Sequence, residues 1–264
     1  MAGFSNALIL FAVVATVLLW LTVAFTRERI QPVAERGLSV ADSLRAVFGN
    51  GPLLVVMVLF TCGMLSFTVR QTVTVYYFKY NLGRADLVAL FFGITMPVML
   101  AALAAVPALS ARFGKAGAIV VGAVVTLVGC IGLYFTPYDA IVWVFAWSCI
   151  VALGGTPIAV LGWAMIPDTV EYAQLRHGHR ADGAIFAFAS FFQKLAKALG
   201  GAGVAGALAL ASYTPNVAQT PQALAMIHHL MTLVPAAIML VMIVAARAYR
   251  LDKTAHEEIL ARLQ

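Results

Sequence analysis

Residues 164–201 have the sequence AMIPDTVEYAQLRHGHRADGAIFAFASFFQKLAKALGG, in which a short loop with charges of both signs joins two apolar segments. Lys194 lies about ten residues into the second segment. At 1.5 Å per residue, this is roughly 15 Å from the start of the segment, half the ~30 Å hydrocarbon thickness of a bilayer. A charge at that depth is costly, so Lys194 is a candidate functional residue.

The composition around this stretch is that of a membrane protein. The chain has 264 residues, of which 62% are hydrophobic and only 11% are charged, and its mean hydropathy is +0.95. A soluble domain of this length would carry more charge on its surface. The apolar runs are continuous rather than alternating, which indicates helices and not the strands of a barrel. We therefore expect an all-α polytopic membrane protein.

The apolar runs predict seven transmembrane helices. They cover about residues 4–25, 52–78, 87–109, 116–136, 140–165, 184–211 and 223–246. The first run lacks a basic n-region and an A-x-A-like cleavage site, which favours a retained helix over a signal peptide.

One helix, a long basic loop and six further helices form a pattern typical of the second half of a twelve-helix transporter, preceded by the last helix of its first half. The predicted parts are the last helix of the first half (1–25), a central loop (26–51), a six-helix bundle (52–246) and a tail (247–264). Within the loop, SVADSLRAVF at 39–48 predicts a short amphipathic helix on the membrane surface.

The lysines and arginines predict the orientation. Twelve of the 17 belong to loops on one side of the predicted membrane, and only Lys79 and Arg84 belong to loops on the other. The positive-inside rule then places the tail in the cytoplasm and the N-terminus outside. Because the basic residues are scattered and not interleaved with aromatic ones, we expect no nucleic-acid partner.

Three polar residues of the sixth predicted span share one helical face, since Ser190, Lys194 and Lys197 follow i, i+4, i+7 spacing. Two ammonium groups one turn apart predict a hydrated cavity or an acidic partner. Snorkelling to the interface would suit Lys197 better than Lys194. Arg70 and Gln71, near the outer end of the second predicted span, are a second candidate pair. Arg70 could snorkel, or its guanidinium could contact sugar hydroxyls or a carboxylate.

Other candidate chemistry is sparse. No acidic residue lies deep in a predicted span, so the chain has no obvious cation site of its own, and its three cysteines lack metal-type spacing. No hydrolase, metalloprotease or nucleotide-binding motif occurs, which predicts that the protein is not an enzyme. Asp168, Glu171 and Arg180 lie in one loop, as a solvated turn or as a salt-bridge gate.

Five segments resemble the glycoside–pentoside–hexuronide:cation symporters, the melibiose-permease-like branch of the major facilitator superfamily. The matching segments are FTRER at 25–29, YYFKYNLG at 76–83, MIPDTVEY at 165–172, SFFQKLAKALGG at 190–201 and YTPNVAQTPQAL at 213–224. The resemblance implies that the chain corresponds to helices 6–12 of a twelve-helix transporter of the bacterial inner membrane. Its implied partners are the bilayer, a sugar or glycoside, and a missing N-terminal half.

The resemblance also implies roles for residues. Lys194 and Ser190 would line the sugar and cation sites. Asp168, Glu171 and Arg180 would hold a cytoplasmic gate shut, with Arg112 nearby. A tryptophan that packs on sugar in melibiose permease aligns with Ala159, and Trp163 lies one turn later. The implied coupling ion is Na⁺ or H⁺, with no other cofactor.

Two alternatives stay open. A carrier of the same fold could move another substrate such as a lysophospholipid, which a cavity lined by Phe186, Phe191 and Phe192 would favour. The chain could also be a non-transporting membrane scaffold or a truncated product.

Overall fold

The computed structural model describes residues 2–26, 40–177 and 181–249. These residues form helices and turns, and none of them is in a β-strand. The chain divides into two compact units, Met1–Leu38 and Ser39–Gln264. The first unit contains α1 (Ala2–Phe25), whose apolar core Leu8–Phe25 has a mean hydropathy of 2.7.

The second unit contains eight helices among its described residues. They are α2 (Val40–Phe48), α3 (Gly51–Tyr76), α4 (Val88–Tyr134), α5 (Ile141–Ala164), α6 (Ile166–His177), α7 (Asp182–Leu210), α8 (Pro221–Met231) and α9 (Leu233–Ala246). A π-helical turn at Tyr77–Asn81 extends α3, and a short 3₁₀ turn at Ala85–Leu87 leads into α4. Helix α2 falls where the sequence predicts an amphipathic segment.

Helix α4 consists of two helices that meet at Gly114. This glycine has φ 71° and ψ 168°, a backbone conformation that side chains with a Cβ rarely adopt. The sequence predicts a loop over 110–116, but the helical conformation continues on both sides of Gly114. We refer to residues 88–113 as the first half of α4 and to 115–134 as the second half.

Five helical ranges are long and apolar enough to cross a membrane. They are Leu8–Phe25, Gly51–Asn81, Ala85–Tyr134, Ile141–Arg176 and Pro221–Ala246. The third range contains two of the seven predicted spans. Helix α7 is not among the five ranges, because Gln193, Lys194 and Lys197 lower its mean hydropathy. An all-helical, multi-pass membrane protein is therefore confirmed, whereas the number seven stays a prediction.

The last predicted span, 223–246, is interrupted. Helix α8 ends at Met231, and Thr232 leaves the helical region with φ −123° and ψ −69°. Pro235 has no backbone N–H, so the Met231 carbonyl four residues earlier loses its intrahelical donor. The break follows from this missing hydrogen bond.

Two apolar clusters form the core, one at each end of α3. The cluster at the Gly51 end, which we call the Lys115 end, includes Leu53, Met57, Ile119, Met165, Ile166 and Ile185. The cluster at the other end, the Tyr77 end, includes Val73, Tyr77, Phe78, Phe91, Leu133 and Met231. A small cluster of Phe60, Met64 and Ala196 lies between them.

Candidate functional site

Helix α7 packs on α3 through its small residues. Ala196 is buried against Phe60 and Met64, near the middle of α3. A Cβ added to Gly200 would lie 3.0 Å from Thr68, which shows how close the two helices approach there. The turn of α7 that bears Lys194 is about 12 residues, or ~18 Å, from the start of the helix, and thus halfway through the bundle.

The lysines lie on the face of α7 that points away from this contact. Lys194 and Lys197 are both exposed, and Ser190, one turn earlier, is half-buried. Among the described residues, neither lysine takes part in an ion pair. Neither ammonium group is therefore paired with a carboxylate in the part of the chain that the structure describes.

Trp163 and Gln71 lie near the contact between α3 and α7. The Trp163 ring meets the Phe60 ring edge-on, with centroids 4.9 Å apart, so the indole lies beside the cluster that also buries Ala196. Gln71 is exposed on α3, one turn beyond Thr68.

Arg70 instead points into the bundle. Its Nη1 donates to the carbonyl oxygen of Met231 at 2.8 Å and contacts Cys130 Sγ at 3.9 Å. This carbonyl is the one that Pro235 leaves without a donor. The guanidinium therefore stabilises the broken end of α8, where the helix dipole favours a positive charge.

At the Lys115 end, Lys115 and Asp168 form an ion pair. Lys115 Nζ donates to the two carboxylate oxygens of Asp168 at 2.8 and 2.7 Å and to the carbonyl oxygen of Ala164 at 3.0 Å. The two side chains are 37% and 12% exposed. Because Ala164 ends α5 and Asp168 lies in the first turn of α6, a single ammonium connects both helices to α4.

A second polar contact strengthens the same junction. The amide of the fully buried Asn50 donates through Nδ2 to the carbonyl oxygen of Thr169 at 2.7 Å. Its Oδ1 accepts from the backbone N–H of Leu53 at 3.0 Å and so caps α3. Helix α6 is thereby joined to α3 as well as to α4.

The other predicted gate residues are arranged differently. Glu171 is half-buried on α6, and the Arg112 guanidinium lies over the ring of Phe113, 5.3 Å from its centroid. Arg180 lies outside the described residues. Burial raises the pKa of the Tyr249 phenol, and the nearby Asp168 carboxylate raises it further. Tyr249 therefore stays neutral beside the ion pair.

Neither Lys115 nor Asn50 is among the site residues predicted from the sequence. The sequence contains a signal for each residue. Lys115 follows Gly114, which separates two apolar runs on the same side of the predicted membrane as Asp168. Asn50 directly precedes the Gly-Pro pair with which α3 begins. Within the described residues, no group of three or more His, Cys, Asp or Glu side chains could hold a metal ion.

Comparison with known proteins establishes the family. Residues 1–253 match the family model described as MFS/sugar transport protein. A putative 2,3-dihydroxypropane-1-sulfonate exporter of Escherichia coli K12 is 29% identical over 99% of this chain and 58% of its own length. The isoprimeverose transporter of Lactiplantibacillus pentosus is 30% identical over 95% and 53%, and the glucuronide carrier protein homologue of E. coli K12 is 30% identical over 97% and 56%.

The chain thus spans about half the length of the curated relatives it matches. The match covers nearly all of the chain, including both lysines of α7 and the Lys115–Asp168 pair. The resemblance to a symporter family and the prediction of a carrier rather than an enzyme are confirmed. The chain belongs to the MFS/sugar transport protein family.

Proposed function

We propose that the chain is the carboxyl-terminal portion of a cation-coupled symporter that moves a sugar or glycoside across the bacterial inner membrane by alternating access. The observation that carries this proposal is the exposure of Lys194 halfway along α7. An unpaired ammonium at that depth is costly unless it lines a hydrated site. Two six-helix bundles would rock around this site, and α7 would contribute one wall.

In this proposal the chain is incomplete alone. It supplies seven spans, helices 6–12 of the transporter, with α1 as the last helix of the N-terminal half. Residues 26–51 form the central loop, 52–246 the six-helix bundle and 247–264 the cytoplasmic tail. The length of the relatives supports this division, since the matched region covers only 53–58% of three of them. The missing N-terminal half would be the partner of the α7 face.

The two lysines favour an anionic substrate within the sugar class. Lys194 and Lys197 lie one turn apart and leave two positive charges on one helical face. A sulfonate or carboxylate would neutralise them through charge-assisted hydrogen bonds. Two relatives are named for such compounds, a sulfonate and a glucuronide. Ser190, Gln71 and Trp163 would contact the uncharged part of the substrate.

The Lys115–Asp168 pair would act as part of the cytoplasmic gate. It connects α4, α5 and α6, so a separation of the pair would release three helices from one another. Glu171 and Arg180 are proposed to join it. Lys115 takes the place next to Asp168 that the resemblance suggested for Arg112.

The coupling ion would be Na⁺ or H⁺. Its ligands would come from the N-terminal half together with the α7 face, because the described spans contribute no group of acidic residues. The twelve basic residues on one side support a cytoplasmic C-terminus.

The test is a chimera in which this chain replaces the matching region of the E. coli glucuronide carrier homologue. We expect cells that express the chimera to accumulate a radiolabelled glucuronide when a Na⁺ or H⁺ gradient is imposed. Lys194→Ala should lower the initial uptake rate at least tenfold, because the charge at the site is lost. Lys194→Arg should retain part of the uptake.

The matched control is Lys79→Ala, which removes an exposed lysine at the Tyr77 end and should leave uptake unchanged. Uptake by the Lys194→Ala chimera at the rate of the parent would overturn the role of α7. Accumulation that responds to neither gradient would overturn cation coupling.

A further inference from the structure

We propose that a groove between the two halves of α4 and α5 binds one acyl chain of an anionic phospholipid, with Arg112 holding the lipid phosphate. The proposal concerns an apolar groove of the second unit and does not depend on the transported substrate. It requires only that the second unit be embedded in a membrane.

The groove has a volume of about 270 Å³. Its walls come from three helical segments, the first half of α4, the second half of α4 and α5. The lining residues are Ala102, Ala105, Val106, Leu109, Val121, Gly122, Val125, Leu153, Gly154 and Pro157. A cleft exists here because small side chains line both walls.

The floor of the groove is a close helix crossing. A Cβ added to Gly122 would lie 2.5 Å from the carbonyl oxygen of Gly154, so the second half of α4 and α5 approach each other to backbone distance. The first half of α4 flanks this crossing with alanines. The groove thus lies between the three helical segments, beside this crossing.

The apolar lining of the groove favours an acyl chain over a sugar. Every lining side chain is apolar or absent, so a sugar in the groove would lose its hydrogen bonds to water without replacement. The volume is also just below the ~300–1,000 Å³ that small-molecule sites commonly have. An acyl chain needs no hydrogen bonds and fits such a volume.

Arg112 provides the charge at one end. It follows Leu109 by three residues on the same face of the first half of α4, one turn closer to the break at Gly114. Its side chain is exposed and lies over Phe113, which is exposed as well. The guanidinium therefore belongs to the turn that follows Leu109, at the end of the groove nearest Gly114.

The neighbouring cation is already engaged. Lys115 donates to Asp168 and to the carbonyl of Ala164, whereas the contact seen for Arg112 among the described residues is the Phe113 ring. A planar guanidinium suits bidentate contact with a phosphate. An anionic headgroup such as phosphatidylglycerol is favoured over phosphatidylcholine, whose choline brings a second positive charge next to Arg112.

The test is native mass spectrometry of the full chain in detergent with equimolar phosphatidylglycerol and phosphatidylcholine that carry identical acyl chains. One basic residue near a headgroup predicts about fivefold preferential retention of phosphatidylglycerol. Arg112→Ala should reduce the preference to about onefold. Ala105→Phe, which fills the groove from an exposed position, should lower the retention of both lipids.

Arg45→Ala is the matched control, since Arg45 is an exposed arginine at the same end of the bundle, 3.9 Å from Asp42. It should keep the fivefold preference. The proposal is overturned if Arg112→Ala keeps the preference, if Arg45→Ala lowers it equally, or if the parent chain shows none. Unchanged lipid retention by Ala105→Phe would overturn the groove as the seat of the acyl chain.

Discussion

The two ends of the bundle are held by different kinds of contact. At the Lys115 end, a lysine, an aspartate and a buried asparagine connect the helices through charge and hydrogen bonds. At the Tyr77 end, aromatic rings make the contacts, as in the Phe78–Phe91 pair with centroids 5.0 Å apart and the Tyr77–His228 pair at 6.0 Å. Some of the polar bonds there are exposed, such as Lys79 Nζ to Asn216 Oδ1 at 2.7 Å, and others are partly buried, such as Asn81 Nδ2 to the carbonyl oxygen of Leu224 at 2.9 Å.

The two kinds of contact respond differently to a change of state. An ion pair is directional and is lost when its partners separate, so the Lys115 end can change between two discrete arrangements. Ring packing depends on contact area and tolerates small shifts. At the Lys115 end, we therefore expect the removal of one polar partner to abolish the contact altogether. At the Tyr77 end, we expect the loss in free energy of unfolding to follow the contact area that a substitution removes.

Among the substitutions that remove a polar contact, the largest effect is expected from Asp168→Ala. It leaves the Lys115 ammonium partly buried without its carboxylate, and we expect a loss of about 2–3 kcal/mol in the free energy of unfolding. Lys115→Ala should cost less, because its side chain is the more exposed of the pair at 37%. Thermal or denaturant unfolding of the chain in detergent measures both.

The control belongs to the opposite end. Lys79→Ala removes an exposed hydrogen bond and should cost about 0.5 kcal/mol or less. The double variant Lys115→Ala/Asp168→Ala should lose about 1 kcal/mol less than the sum of the single variants. If Asp168→Ala lowers the free energy of unfolding by no more than Lys79→Ala does, the two ends of the bundle do not differ in the way described.

A smaller effect is expected from Arg70→Ala, which tests a partly buried charged contact beside the Tyr77 end. The substitution leaves the Met231 carbonyl without its donor, and we expect a loss of about 1–2 kcal/mol. Arg84→Ala, which removes a fully exposed pair with Asp86, should cost less than Arg70→Ala in the same unfolding measurement. Equal losses for the two arginines would show that the helix break needs no cap.

The smallest effect is expected from Tyr77→Phe. The Tyr77 hydroxyl is buried and has no hydrogen-bond partner in the structure, so its removal should change the free energy of unfolding by less than about 0.5 kcal/mol or raise it slightly. Tyr77→Ala, by contrast, should cost about 3 kcal/mol because it empties a fully buried site. A large loss for Tyr77→Phe would mean that the hydroxyl, and not the ring, stabilises this end.

Apolar runs predict the long helices well because burial in lipid requires uninterrupted hydrophobic length. The predicted spans 52–78, 140–165 and 184–211 differ from α3, α5 and α7 by at most two residues at each end. The break at Thr232 was missed, although Pro235 signals it. The helical state of residues 110–113 was missed too, because packing against the rest of the bundle overrides the loop that Gly114 suggests.

For the candidate site too, some features could be predicted from the sequence and others could not. The face shared by Lys194 and Lys197 follows from helical spacing, so the sequence could predict it. The partner of Asp168 could not be predicted, because Arg112 and Lys115 lie on opposite sides of Gly114 and only the φ of that glycine decides which cation faces α6. Likewise, nothing local to Arg70 indicates a carbonyl 161 residues away.

The separation of 161 residues between Arg70 and Met231 matters while the chain is being synthesised. Arg70 leaves the ribosome long before Met231, so its guanidinium has no carbonyl to bind while α3 enters the bilayer. Until α8 and α9 arrive, water or lipid headgroups must satisfy this charge. We therefore expect α3 to reach its final depth only when the end of the chain is inserted, so that a protein shortened before Met231 would hold α3 in the membrane less firmly.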